Sequence, residues 1–481
     1  MKKKTVFISG HFNILHPGHL RLFRFAKECA DYLIVGIESD KLAGNDAHIN
    51  ELLRLEGVQS NNWIDEAFII SDSVLDTIKK LKPDFVVKGK EHESKYNPEL
   101  TEIEKYGGQL LFSSGEIIFS SVDLLRKEFS EVDNKPIVEL LQEYLLRHQI
   151  NIPRLKAIID NFKKLKVCVI GDFIADEYIT CQPLGMSQED PTIVVTPIDT
   201  TKFIGGAGIV AAHSASLGAN VNFISVAGSD ETKKFAINQL KSHGVNVDFI
   251  EDPNRPTTLK KRYRCKGKTL LRVSHLHQGA ISSKLQELYF QKIKKALKDC
   301  NLLIFSDFNY GCLPQPLVEK VIQYAKLKGI MMVADSQSSS QMGDIGRFNS
   351  MDLITPTERE ARLSLRNQED GLVVLAEKLR LTTSSKNILL KLGEEGLLIH
   401  SQSENNNTDF ITDRIIALNT SPKDVAGAGD SLLVASSLTL ATGGNILEAA
   451  CLGSLAAAIQ VSRVGNTPLS TKEFYKVLGI I

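Results

Sequence analysis

The feature that most limits the fold is an alternation of short runs rich in Val, Ile and Leu with stretches whose apolar residues recur at helical spacing. Thr5–Ser9 is followed by the helical stretch Pro17–Ala30 and then by Tyr32–Ile37, with further runs at Ala67–Ile70 and Phe85–Val87. Runs of this kind, separated by helices, predict βαβ units, because parallel neighbours need a crossover between them. The series restarts at Val167–Gly171 and continues through Val221–Val226, Leu302–Ser306, Met331–Ala334, Leu353–Thr355 and Ile388–Leu392. The expectation is an α/β chain in two parts: a domain over 1–130, linker helices over 131–160, and a larger α/β domain over 161–481. The polar cluster Ser401–Asp409 predicts a loop between late strands.

Composition narrows the partners. The 481 residues hold 57 Lys+Arg against 57 Asp+Glu. That balance removes the long-range field that non-specific nucleic-acid or acidic-membrane binding uses, so small-molecule ligands are expected, with no nucleic acid and no membrane. The seven cysteines are odd in number, widely spaced and never form C-x-x-C, which predicts neither a disulfide framework nor a zinc cluster and fits a reducing cytoplasm. The opening MKKKTVFISG runs straight into a predicted strand without a signal-like apolar stretch. Ile446–Val461 is apolar but carries Glu448 and Gln460, so it predicts a buried helix rather than a membrane span.

Two constellations carry chemistry. The first is His16-Pro17-Gly18-His19, a pattern expected by chance about 0.02 times in a chain of this composition. It follows a predicted strand, and Pro17 sits where a helix begins, since its missing N–H costs nothing there. Two imidazoles at the positive end of a helix dipole point to phosphate chemistry. The pattern resembles the HxGH nucleotidyltransferases, the cytidylyltransferase-like group. Its G-x-F-x-x-x-H-x-G-H is matched by Gly10, Phe12, His16, Gly18 and His19, with further matches at Glu38-Ser39-Asp40, Arg54, Val87-Lys88-Gly89 and the serines Ser120 and Ser121. Asn13 stands where that group carries Asp, and Val122 replaces a hydroxyl residue. The resemblance implies a Rossmann-like domain in which a sugar phosphate attacks the α-phosphorus of ATP or CTP and pyrophosphate leaves. In it His16 and His19 are catalytic, and Gly10, Phe12, Gly18, Arg54, Lys88, Ser120 and Ser121 bind nucleotide and phosphates, with Mg²⁺ bridging phosphate oxygens.

The second is Asp424-Val425-Ala426-Gly427-Ala428-Gly429-Asp430, a turn of small residues entering an apolar helix. Small side chains leave the amides of Ala426, Gly427, Ala428 and Gly429 open to one anion, and a carboxylate beside such an anion suits the task of accepting the proton of an attacking hydroxyl. Residues 160–481 resemble the ribokinase-like carbohydrate kinases. That resemblance implies Asp430 as catalytic base, Gly465 in the nucleotide site, Asp172, Asp176, Gly205 and Gly206 on sugar hydroxyls, and Glu360 organising Mg²⁺ through its waters. The cluster Lys260, Lys261, Arg262, Arg264, Lys266, Lys268 reads as a solvated hairpin or as a flap that closes over a phosphorylated sugar with Lys260 and Arg262 facing it.

Taken whole, the chain resembles the bifunctional heptose 7-phosphate kinase / heptose 1-phosphate adenylyltransferases through SQEDPTIVV, GGAGIVAAHSASLGA and DVAGAGDS. Those enzymes carry the kinase first, whereas here the transferase part comes first. Ile209 stands where they place a sugar-contacting Asn, and Tyr310 and Gln337 replace two lysines. The expectation is a bifunctional cytoplasmic enzyme making a nucleotide-activated, heptose-type sugar, and a homodimer through the kinase part. Two alternatives stay open: a CTP-dependent transferase acting on another sugar or polyol phosphate, and an active transferase joined to a kinase half reduced to binding or regulation.

Overall fold

A computed structural model of the chain describes residues 4–13, 15, 17–89, 97–113, 137–187, 189–190, 192–265, 268–338, 343–402 and 410–479. The chain divides into two compact units, Met1–Asn134 and Lys135–Ile481.

The first unit is built on five strands, β1 (Thr5–Gly10), β2 (Tyr32–Glu38), β3 (Glu66–Ile70), β4 (Phe85–Gly89) and β5 (Gln109–Ser113). They form one sheet in the order β3-β2-β1-β4-β5, parallel throughout. The apolar runs are continuous because both faces are covered. Val6 and Ile8 pack with Phe23 and Ala26 of the helix Pro17–Cys29, while Phe7 between them packs on the other face with Ile78 and Ile103. The strand order reverses direction between β1 and β4, and ligands of open parallel sheets bind at the carboxyl ends beside such a reversal.

The second unit contains β6 (Lys166–Gly171), β7 (Phe173–Met186), β8 (Ile193–Gly206), β9 (Asn220–Ala227), β10 (Asn246–Glu251), β11 (Leu259–Cys265), β12 (Lys268–His275), β13 (Leu302–Asp307), β14 (Met331–Ser336), β15 (Leu353–Ile354), β16 (Asn387–Lys391), β17 (Leu397–Gln402) and β18 (Phe410–Ile415). Nine of these form the main sheet in the order β10-β9-β6-β13-β14-β15-β16-β17-β18, parallel up to β16 and antiparallel over the last two pairs. A second sheet, β12-β11-β7-β8, carries Lys260, Lys261, Arg262 and Arg264 on β11 and Lys268 on β12, which pair antiparallel as a hairpin, and Lys266 lies outside the described residues.

One expectation changes here. The helices Ile137–Arg147 and Ile152–Asn161 are not a linker. Leu141, Tyr144, Leu155, Ile158 and Ile159 are buried in the same core as Cys451 and Leu455, and Tyr144 donates to the Leu447 carbonyl at 2.9 Å. Their apolar stripe needed a partner, and the buried helix Ile446–Val461 supplies it. No helix among the described residues is long and apolar enough to cross a membrane. The long strands β7 and β8, 14 residues each, went unforeseen because their outer halves are exposed and interrupted by Pro183, Gly185 and Pro197, residues that argue against strand in a sequence. Ser401 and Gln402 end β17, and 403–409 lie outside the described residues.

Candidate functional site

In the second unit the parallel register brings the carboxyl ends of β6, β13, β14 and β16 to one edge of the sheet, and the glycine turn meets them there. Gly427 has φ 78°, and a Cβ at that position would overlap the Asn466 carboxamide, so glycine is required twice over. The helix Ala428–Ala441 that follows has no side-chain cap, which leaves its first amides for a ligand. Two of the four amides expected to face one anion are already bonded within the turn. The Ala426 amide donates to Asp424 Oδ1 at 3.1 Å and the Ala428 amide donates to the Val425 carbonyl at 3.4 Å, so the turn offers Gly427 and Gly429.

Asp424 clamps the turn. Its Oδ2 accepts from the Gly465 amide at 3.1 Å and from the Tyr178 hydroxyl at 3.2 Å. Gln460, fully buried, donates to the Gly465 and Ala426 carbonyls at 3.0 and 3.3 Å. Gly465 has φ 78°, and a Cβ there would stand 2.5 Å from the Phe203 ring. Gly465 therefore shapes the wall of the turn.

Asp430 sits in the first turn of that helix, 5% exposed. Gln337 Nε2 donates to its Oδ1 at 2.8 Å. Burial, reinforced by Asp335 and less strongly by Asp176, pushes its carboxyl up to about 7, with Lys391 and the Gln337 hydrogen bond pulling the other way. A carboxylate that takes up a proton near neutrality is suited to general-base work. Beside it Asp335 is buried and ion-paired to Lys391 Nζ at 3.0 Å, and it accepts from Thr355 at 3.1 Å. Glu360 caps its own helix: its two oxygens accept the Ser338 and Thr357 amides, both at 2.8 Å.

Among the residues expected on sugar hydroxyls, Asp172 is turned inward. Its carboxylate accepts the amides of Phe308, Tyr310 and Cys312 at 2.9, 3.3 and 3.2 Å, so it shapes the 308–312 loop. Burial and the neighbouring Asp307 hold its carboxyl above the usual range. Asp176 pairs with Arg262 at 3.2 Å, and its carboxylate lies over Gly205, where an added Cβ would stand 2.5 Å from Oδ2 and displace it. Gly206, at φ 58°, lets the backbone pass close to the Asp172 carbonyl. Lys260 Nζ lies 5.6 and 5.2 Å from the ring centres of Phe308 and Tyr310, and the Arg262 and Arg264 guanidinium carbons lie 5.4 and 4.9 Å from that of Tyr178. On β11, then, Lys260, Lys261, Arg262 and Arg264 hold partners within the protein, whereas β12, which opens at Lys268, is exposed along most of its length. Ile209 is fully buried in the helix Ala207–Ser216 and lies in the core.

In the first unit, β1 ends at Gly10 and is followed by Phe12, a non-glycine residue at φ 48°. Gly10 makes room for the Phe12 ring, which a Cβ would approach to 3.2 Å. His19 meets that ring edge-on with centroids 5.1 Å apart, and Gly18 lies in the first turn of the same helix. Arg54 and Lys88 already hold protein partners. Arg54 is 2% exposed, and its donors go to the Ile49 carbonyl at 2.8 Å, the His11 carbonyl at 2.6 Å and Asp40 at 2.7 Å. A buried guanidinium needs such partners, and through them Arg54 braces the loops after β1 and β2. Lys88 pairs with Glu99 at 2.9 Å and donates to Asn97 at 3.1 Å. Asn13 ties down the 46–49 loop, donating to the Asp46 carbonyl at 2.7 Å and accepting the His48 amide at 2.9 Å. His16, Ser120 and Ser121 lie outside the described residues.

Sequence reading did not single out Asp335, Lys391, Gln460 or His11. His11 Nε2 lies 3.3 Å from Glu38, whose hydrogen bond holds the imidazole above its ordinary range while burial opposes it. Asp335 and Lys391 did carry a signal: each is a charged residue at the carboxyl end of a buried parallel strand.

Comparisons with known proteins agree with this division. The family model described as pfkB family carbohydrate kinase matches residues 164–472, and the one described as Cytidylyltransferase-like matches 7–109. Proteins named "Bifunctional protein HldE" are similar in sequence. That of Desulfatibacillum aliphaticivorans is 29% identical over 317 residues, 65% of this chain and 63% of its own length. That of Campylobacter jejuni subsp. jejuni serotype O:6 is 30% identical over 326 residues, 65% of this chain and 64% of its own. The chain thus spans less than two thirds of the length of these curated relatives. Among solved structures, ribokinase from Thermotoga maritima matches with TM-score 0.52 at 20% identity, covering 66% of this chain and 99% of its own. Phosphofructokinase-2 from Escherichia coli in complex with fructose-6-phosphate matches with TM-score 0.52 at 17% identity, covering 66% and 98%. The second unit therefore has the ribokinase-like α/β fold.

Proposed function

The chain belongs to the pfkB family of carbohydrate kinases, and we propose that its second unit transfers the terminal phosphoryl group of ATP to a hydroxyl of a sugar or sugar phosphate. We propose that the first unit transfers a nucleotidyl group from ATP or CTP to a sugar 1-phosphate, releasing pyrophosphate. One observation carries the kinase reading: Asp430, a buried carboxyl that titrates near 7, stands in the first turn of an uncapped helix beside the Gly427 and Gly429 amides. In this reading the sugar hydroxyl gives its proton to Asp430 as its oxygen bonds to the γ-phosphorus, and the bond from that phosphorus to the departing ADP oxygen breaks. The two amides and the helix dipole stabilise charge on the moving group. Asp176, Arg262 and Lys260 border the sugar side, with Asp172 positioning the loop behind it.

Among the described residues no three His, Cys, Asp or Glu side chains gather as a metal site. Asp335 and Glu360 are hard oxygen donors already engaged with Lys391 and with backbone amides. They suit a Mg²⁺ that arrives with the nucleotide and is held through its waters. When bound, that ion neutralises phosphate charge.

For the first unit the support is the HxGH pattern together with His19, His11, Glu38 and Lys88 around the carboxyl ends of β1, β2 and β4. A heptose-type sugar is supported by the relatives named HldE, with the two parts in the reverse of the order expected for such enzymes. A homodimer through the kinase unit is supported by exposed Leu184, Met186, Ile193 and Ile198 on the long β7–β8 hairpin, and a cytoplasmic setting by seven free thiols. One observation favours the kinase half as a binding module instead: Asp172 spends its carboxylate on three backbone amides.

The test is to incubate the purified chain with ATP or CTP, Mg²⁺ and a panel of sugars and sugar phosphates, following ADP and pyrophosphate separately. Sugar-dependent ADP release that vanishes in Asp430→Ala supports the kinase reading. Pyrophosphate release alone, untouched by that change, favours the binding module, and release of neither product refutes both activities.

A further inference from the structure

The site lacks cations at the two places where the sequence resemblance leads one to expect lysines: position 310 is Tyr and position 337 is Gln. A lysine nevertheless reaches it from another strand. Lys391 is the last residue of β16, its backbone fixed by donation to the Pro356 carbonyl at 2.8 Å. Its side chain is 13% exposed, and Nζ lies 3.0 and 3.2 Å from the two Asp335 oxygens. A Cβ built on Gly429 would stand 3.1 Å from the same Nζ, so the ammonium lies against the glycine turn where ordinary side chains would cover it.

We propose that Lys391 is the fixed cation of the phosphoryl site, supplying beside the Gly427 and Gly429 amides the positive charge that positions 310 and 337 do not. The proposal rests on the kinase reading of this site. Gln337 is left to do what a neutral amide can do, bridging Asp430 at 2.8 Å and Asp335 at 3.4 Å. The charged groups around Lys391 come from three elements, Asp335 from β14, Glu360 from the helix Glu358–Leu365 and Asp430 from the helix Ala428–Ala441, while the paired strands β15 and β17 add none. Burial works against the ammonium, but Asp335, Glu360 and Asp430 outweigh it and hold it protonated. Three carboxyl groups against one ammonium leave the cluster unable to welcome a polyphosphate without that ammonium. The terminal phosphate, the one nearest the turn, feels it most.

The inference separates from simple neutralisation of Asp335 by experiment. Affinities for ATP and ADP, each with Mg²⁺, are measured by titration calorimetry on the full chain and on Lys391→Met, Lys391→Arg and the double variant Lys391→Met/Asp335→Asn. Loss of one charge-assisted contact to the terminal phosphate is expected to weaken ATP by at least about tenfold in Lys391→Met while ADP changes by less than about twofold. Lys391→Arg is expected to recover most of the ATP affinity. The double variant removes the buried unpaired carboxylate and so protects folding, and it is expected to keep the ATP defect. Equal weakening of ATP and ADP, no weakening of either, or an ATP affinity restored in the double variant overturns the proposal. Sugar-dependent ADP release by the unaltered chain judges the kinase reading separately, because ATP discrimination at Lys391 does not need a sugar to be turned over.

Discussion

Replacing Asp430 with Asn is expected to stabilise the second unit while abolishing sugar-dependent ADP release. In the folded chain the carboxyl titrates at about 7 against an ordinary value of 3.8, and burial is the largest cause. The folded state therefore holds this proton more tightly than the unfolded state. Stability linked to it is complete below the unfolded value and is lost as pH rises from about 4 through 7. Asn keeps the acceptor oxygen for Gln337 but carries no charge, so it escapes that loss. Each tenfold difference in proton affinity between the folded and unfolded chain is worth about 1.4 kcal/mol, so the advantage of Asp430→Asn grows by about 3 kcal/mol between about pH 4.5 and pH 8. For a unit the size of Lys135–Ile481 that is on the order of 4 °C in Tm. Scanning calorimetry at the two pH values reads it directly. A variant that is equally or less stable than the parent at the higher pH, or whose advantage is larger at the lower one, refutes the argument that burial makes this group a base poised near neutrality.

Three further expectations concern single residues. Arg54→Met strands the His11 and Ile49 carbonyls and Asp40, and is expected to cost the first unit about 2–4 kcal/mol in urea unfolding; unchanged stability means that the guanidinium is not the brace described. Gly465→Ala forces a side chain into φ 78° against the Phe203 ring at about 1–3 kcal/mol, and ADP release should fall while pyrophosphate release holds. His11 has its proton affinity raised by Glu38, so the stability it lends is present below about pH 6.5 and lost as pH rises through its higher folded value. Because the pair is partly exposed, the effect should stay under about 1 kcal/mol, and a decline in the first unit's Tm between about pH 6 and 8.5 should flatten in His11→Gln.

What the sequence disclosed, and what it hid, follows from how far each signal reaches along the chain. Strands buried on both faces declare themselves as unbroken apolar runs, which is why β1, β6, β13 and β14 lie within a residue or two of expectation. The glycine turn is equally local: Gly427 and Asp430 are fixed by residues beside them in sequence. By contrast Lys391, Asp335 and Gln460 become neighbours of the turn only through strand register and helix packing, and a charge at the end of an apolar run looks alike whether it meets solvent or a ligand. The charges that already hold partners obey one rule. Arg54, Lys88 and Asp172 have the residue types that phosphates and sugars require, but a charged group taken out of water must find partners before any ligand arrives. Each has found them, in loop carbonyls and Asp40, in Glu99 and Asn97, and in three amides of the 308–312 loop. Asp430 differs because its partner is a neutral amide and its neighbour Asp335 repels it. That leaves its demand for a proton unmet, which is the property that the base proposed for the phosphoryl site needs.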